Sequence, residues 1–77
     1  MADLQFEEVK RRLKEGENLE VKTTGGTYEV WAEPYGNPPA VYYEGEVFAI
    51  EELDAICQKL LAAQKAGELS LRWAEME

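Results

Sequence analysis

Apolar residues recur along the first segment at helical spacing. Ala2, Phe6, Val9 and Leu13 stand at i, i+4, i+7 and i+11. That stripe predicts an amphipathic helix over residues 3–15. Asp3 suits its N-cap, and Gly16 suits a left-handed C-terminal residue. Glu7–Arg11 and Glu8–Arg12 are i, i+4 pairs in the favourable order. From residue 19 the period changes to two, which predicts strands over 19–24 and 27–33 around Gly25-Gly26. A two-residue turn there sets Thr24 opposite Thr27, Lys22 opposite Glu29 and Val21 opposite Val30. One face then carries Leu19, Val21, Thr23, Tyr28, Val30 and Ala32. The other carries Glu20, Lys22, Thr24, Thr27, Glu29, Trp31 and Glu33.

Pro34-Tyr35-Gly36-Asn37-Pro38-Pro39 reads as a loop, because its prolines and glycine exclude helix and central strand alike. Residues 40–43 and 46–49 are β-rich around Glu44-Gly45. They predict a second tight hairpin, with one strand bent by a bulge as the alternative. Residues 50–66 predict the second helix. Leu53, Ile56, Cys57, Leu60 and Leu61 form its stripe, Glu51, Glu52 and Asp54 load its N-terminus, and Gly67 ends it. In the tail, residues 68–77, Leu69, Leu71 and Trp73 alternate like a strand. Leu69, Trp73 and Met76 fit a short helix, which is the reading favoured. The expected architecture is α+β in one small domain. It has an N-terminal helix, a three- to four-stranded antiparallel sheet and a C-terminal helix, with both helices packed on one sheet face.

Composition changes this picture in three ways. First, 77 residues bury a thin core, and Cys57, the single cysteine, provides no disulfide to reinforce it. Second, there is no histidine. One thiol without histidine makes neither the usual zinc cage nor an activated nucleophile. Cys57 sits in an apolar stripe and reads as a core thiol. Ser70 is the only serine, no phosphate-binding glycine pattern occurs, and among the sixteen carboxylates Glu44 and Glu46 flank Gly45 closely enough to suggest acid–base work. The expectation is therefore a protein without catalytic, metal or cofactor-binding residues. Third, the net charge of −8 is unevenly spread. Residues 1–14 hold three acids and four bases, residues 15–54 hold ten acids and only Lys22, and residues 55–77 hold three of each. Such a middle segment repels nucleic acid and acidic membranes and attracts basic partners.

The basic run Lys10-Arg11-Arg12-Leu13-Lys14 could touch phosphate, but Glu7 and Glu8 pair it on its own helix. The helix–sheet–helix order resembles that of double-stranded-RNA-binding domains in element order alone. Such a domain needs a basic start to its second helix, where this chain has Glu51, Glu52 and Asp54. No membership is inferred.

Trp31 stands among glutamates on the polar hairpin face. It is either covered, by the proline loop or by the tail around Trp73, or offered to a partner. Tyr35, Tyr42 and Tyr43 add aromatic surface near the loop. The expected binding residues are Glu20, Glu29, Trp31, Glu33 and Tyr35, docking onto a basic protein surface. A stronger version is an inhibitor that imitates nucleic acid. The alternative is a self-associating assembly module, a homo-oligomer or a subunit of a larger complex. The unpaired cysteine and the lack of an export signal in the first residues suggest a cytoplasmic protein.

Overall fold

The computed structural model describes residues 4–74. Phe6–Lys14 form α1, with Gln5 at the N-cap position in extended conformation. The helix is shorter at its start than the stripe predicts, and Ala2 and Asp3 lie outside the described residues. Acidic Glu7 and Glu8 in its first turn and basic Arg11, Arg12 and Lys14 in its last complement the helix dipole. Leu53–Lys65 form α2, and Ile50–Glu52 make a 3₁₀ turn before it, so the predicted helix 50–66 divides in two. Both helices end alike. Glu17 N–H reaches Arg12 O at 3.1 Å and Glu68 N–H reaches Ala63 O at 2.9 Å, across Gly16 at φ 99° and Gly67 at φ 80°. These are Schellman closures, for which the left-handed residue is best a glycine.

Five strands follow in chain order: β1 Leu19–Thr23, β2 Gly26–Glu33, β3 Ala40–Tyr43, β4 Glu46–Ala49 and β5 Ser70–Trp73. Their spatial order is β4-β3-β2-β1-β5, with every neighbouring pair antiparallel. The class is the α+β one predicted, but the sheet has five strands rather than three or four. Within the described residues the tail is not a short helix, and Met76, which that reading also used, lies outside them. Ser70–Trp73 pair with Lys22–Leu19, and Ala74 N–H extends the ladder to Asn18 O at 3.0 Å. The free edge of β1 satisfies the backbone of this segment, and alternation puts Leu71 into the core.

The first hairpin turns one residue earlier than predicted. Thr23 pairs with Gly26 and Lys22 with Thr27, so Thr24-Gly25 form the turn. The Thr23 hydroxyl fixes it, accepting from Gly25 N–H at 3.1 Å and donating to Gly26 O at 3.0 Å. Each residue's partner therefore moves by two positions, which keeps every side chain on its predicted face. In the second hairpin, Tyr43 pairs with Glu46. Its turn residues Glu44 and Gly45 have φ 54° and 76°, the left-handed pair of a type I′ turn. The hairpin reading, not the bulge, is the one found.

The inward residues of the sheet, including Leu19, Val21, Val30, Val41 and Leu71, meet Val9 and Leu13 of α1 and Leu53, Ile56, Cys57 and Leu60 of α2 in one buried cluster. Both helices thus cover the same face. Lys10 of α1 holds Asp54 of α2 at 3.1 Å. Arg12 reaches from α1 over the Trp73 ring at 4.2 Å, and its Nε–H donates to Glu17 at 2.9 Å. This fixes the β5 end of the sheet under α1.

Candidate interaction face

The opposite sheet face has no helix on it. Alternation along β2 turns Tyr28, Val30 and Ala32 inward and Glu29, Trp31 and Glu33 outward. Register then sets Trp31 opposite Tyr42 and Tyr42 opposite Val47. The result is an apolar row across β2, β3 and β4. The Trp31 and Tyr42 rings stack with centroids 4.9 Å apart and planes 12° apart. Val47, at the sheet edge, is 62% exposed. Beside the row, a shallow groove of about 320 Å³ runs between Pro38-Pro39 and β4, lined by Val47, Phe48, Ala49 and Ile50.

Carboxylates border this row. Glu29 accepts from Asn18 Nδ2 at 2.9 Å, and Glu33 accepts from the Tyr42 hydroxyl at 3.3 Å. The charge of Glu33 pushes the Tyr42 phenol above its ordinary pKa, so Tyr42 stays a neutral donor. Glu20 lies further along the same face, opposite Glu29, and is held by Arg72 of β5 at 2.8 Å. Tyr35 is 95% exposed on the β2–β3 loop and makes no ring contact among the described residues. The structure thus groups Glu29, Trp31 and Glu33, sets Glu20 beside Glu29 but held in an ion pair with Arg72, and places Tyr35 apart.

The acidic middle segment is not uniformly available. Glu15 pairs with Arg11, Glu17 with Arg12, Glu20 with Arg72 and Asp54 with Lys10. Within residues 15–54, all of them described, Glu29, Glu33, Glu44, Glu46, Glu51 and Glu52 have no ion-pair partner among the described residues. All six lie in the β2–β4 half of the molecule or at the turn into α2. Bases from both chain ends neutralise the rest, and the uncompensated charge concentrates where the apolar row lies.

Two aromatic residues differ from expectation. Tyr43 is not surface: it is buried between Tyr28 and Phe48, with Lys59 Nζ 5.6 Å from its ring. Trp73 does not cover Trp31, because it sits opposite Leu19 on the helix side, its Nε1 buried without a hydrogen-bond partner among the described residues. Conversely, Tyr42 and Val47 belong to the site and were absent from the expected set. Their outward alternation is visible in 40–43 and 46–49, but their place beside Trp31 depends on β2 pairing with β3 across the proline loop.

Cys57 is buried, and burial pushes its thiol up to about 11, well away from a thiolate at neutral pH. Glu44 and Glu46 are exposed beside the second turn, and neither lines the groove. Among the described residues, no group of three histidine, cysteine, aspartate or glutamate side chains is placed to hold a metal ion, and no helix is long and apolar enough to cross a membrane. Comparisons with protein-family models, curated proteins and solved structures find no match to this chain.

Proposed function

We propose that this chain is a non-catalytic binding protein that docks its open sheet face onto a basic protein surface. The stacked Trp31–Tyr42 pair is the apolar anchor, and Glu29 and Glu33 flank it. The observation that carries this reading is a solvent-facing aromatic stack on an uncovered sheet, bordered by carboxylates that have no ion-pair partner among the described residues. Tryptophan and tyrosine are favoured interface anchors, and an arginine placed over the stack would gain both ring contact and carboxylate pairing. Aromatic rings on a sheet can also stack nucleic-acid bases, but Glu29 and Glu33 beside them repel phosphate. The version in which the face imitates a phosphate chain has less support, since Arg72 pairs with Glu20 and Lys22 puts a positive charge on the outer face of β1.

The test uses affinity capture with the intact chain, Trp31→Ala, and the double change Glu29→Lys with Glu33→Lys. The expected result is a basic partner held by the intact chain, released by salt, and lost with both variants while their circular dichroism stays native. Equal capture by all three proteins would overturn the reading.

A further inference from the structure

We propose that the β4 edge accepts an extended basic peptide as a sixth strand. This surface borders the open face and shares Val47 with it, but it offers backbone groups of β4 rather than the Trp31–Tyr42 stack. β4 ends the sheet and carries no proline, bulge or lysine; of the devices that block strand addition it has only its short length and the charge of Glu46 at its start, which suits a basic strand. Its hydrogen-bonding direction follows from the hairpin. A two-residue turn makes Tyr43 and Glu46 a hydrogen-bonded pair, so Val41 and Phe48 form the next one. Ile50 N–H to Pro39 O at 3.3 Å continues the same alternation. The backbone groups of Val47 and Ala49 therefore point away from β3, toward solvent. The Ala49 carbonyl caps the 3₁₀ turn that follows. Val47 N–H, Val47 C=O and Ala49 N–H are left for an incoming strand.

The surroundings select the occupant. Alternate side chains of an added strand would lie beside exposed Val47 and small Ala49, over the groove at Pro38-Pro39. Unpaired Glu44 and Glu46 stand at one end of β4, and Glu51 and Glu52 follow the other end. Four strand residues span about 13 Å, so a peptide with an apolar centre and Lys or Arg at both ends matches the arrangement. A second copy of this chain fits worse, because it would bring an identical acidic set to the same seam.

The experiment is titration of the full chain with a fluorescein-labelled peptide, Lys-Arg-Val-Thr-Val-Lys-Arg, followed by anisotropy and by amide resonances. The expected result is saturable binding with shifts and slowed exchange at the Val47 and Ala49 amides. Methylating the backbone nitrogens of the two peptide valines should weaken binding at least about tenfold, as should Val47→Pro, each removing edge hydrogen bonds. Val47→Pro leaves the β3 ladder intact, and Glu51→Lys with Glu52→Lys gives an independent loss without touching the strand. Absence of saturable binding, equal binding of the methylated peptide, or dimerisation through β4 would overturn the proposal. Shifts confined to Trp31 and Tyr42 would overturn it too, while supporting the open face. Trp31→Ala separates the two surfaces, since it should abolish protein docking and leave the peptide bound.

Discussion

Trp31 and Tyr42 stack 4.9 Å apart across β2 and β3, on the one sheet face that neither helix covers. The pair joins strands separated by the Pro34–Pro39 loop, so it stabilises the sheet as well as offering a surface. Offset aromatic pairs contribute about 0.5–1.5 kcal/mol beyond their buried area. Trp31→Ala and Tyr42→Ala should each lower stability by about 1–2 kcal/mol without unfolding the chain, and the double change should lose less than their sum. Urea titration of the four proteins checks this. In a Trp73→Phe background, Trp31 alone reports, and its emission should be red-shifted and readily quenched by acrylamide.

Glu44 occupies φ 54°, a conformation that a glutamate adopts at a cost and an asparagine more readily. Glu44→Asn next to Gly45 completes the favoured type I′ sequence and removes a negative charge that has no cation partner among the described residues, at the loss of the contact between the Glu44 carboxylate and the Tyr28 phenol. The expected gain is about 0.5–1 kcal/mol, or about 2–8 °C in a chain of this length. Differential scanning calorimetry measures it, and an unchanged or lower Tm would show that Glu44 makes a contact worth more than the turn strain.

Much of this fold was legible because local signals agreed with tertiary demands. The stripe at Val9 and Leu13, the glycines at both helix ends and the alternation of Leu19, Val21, Val30 and Ala32 all appear where they were expected. The hairpin turn moved by one residue, because the Thr23 hydroxyl offers turn contacts that a Gly-Gly pattern does not reveal. Even so, Trp31 kept its face, since a two-position change of partner preserves alternation. β5 was harder: Leu69 and Trp73 satisfy both periods, and only the vacant edge of β1 decides between them. The site was half legible for the same reason. Glu29, Trp31 and Glu33 share a face by local spacing, whereas Tyr42 and Val47 join them through a long-range strand pairing. Nor could the chain's charge be apportioned without knowing that Arg72 meets Glu20 and Lys10 meets Asp54.

Cys57 should be inert in the native protein. Its side chain is fully buried in the α2 stripe, and its thiol is raised to about 11. Reaction with a disulfide reagent at about pH 8 should therefore proceed through opening of the structure, and faster in denaturing urea by orders of magnitude. Labelling rates measured across a urea series should track the unfolding curve. Rapid stoichiometric labelling without denaturant would show that α2 opens independently of the rest.

The Arg12–Glu17 contact makes a directional statement about acid. Hydrogen bonding from the Arg12 guanidinium holds Glu17 below the ordinary glutamate value of 4.5. A carboxyl depressed in the folded state contributes stability that is fully present above its unfolded pKa. That contribution is lost as pH falls through the lower folded value. Thermal melts of the intact chain should thus decline as pH falls below about 4.5, and Glu17→Gln should decline less over the same window while melting lower at neutral pH. Arg12→Met separates the charge from the packing, because its stem can still cover the Trp73 ring while Glu17 loses its partner. If the acid decline is unchanged in Glu17→Gln, other carboxylates govern it, and Asp54, paired with Lys10 at the other helix contact, is the next residue to replace.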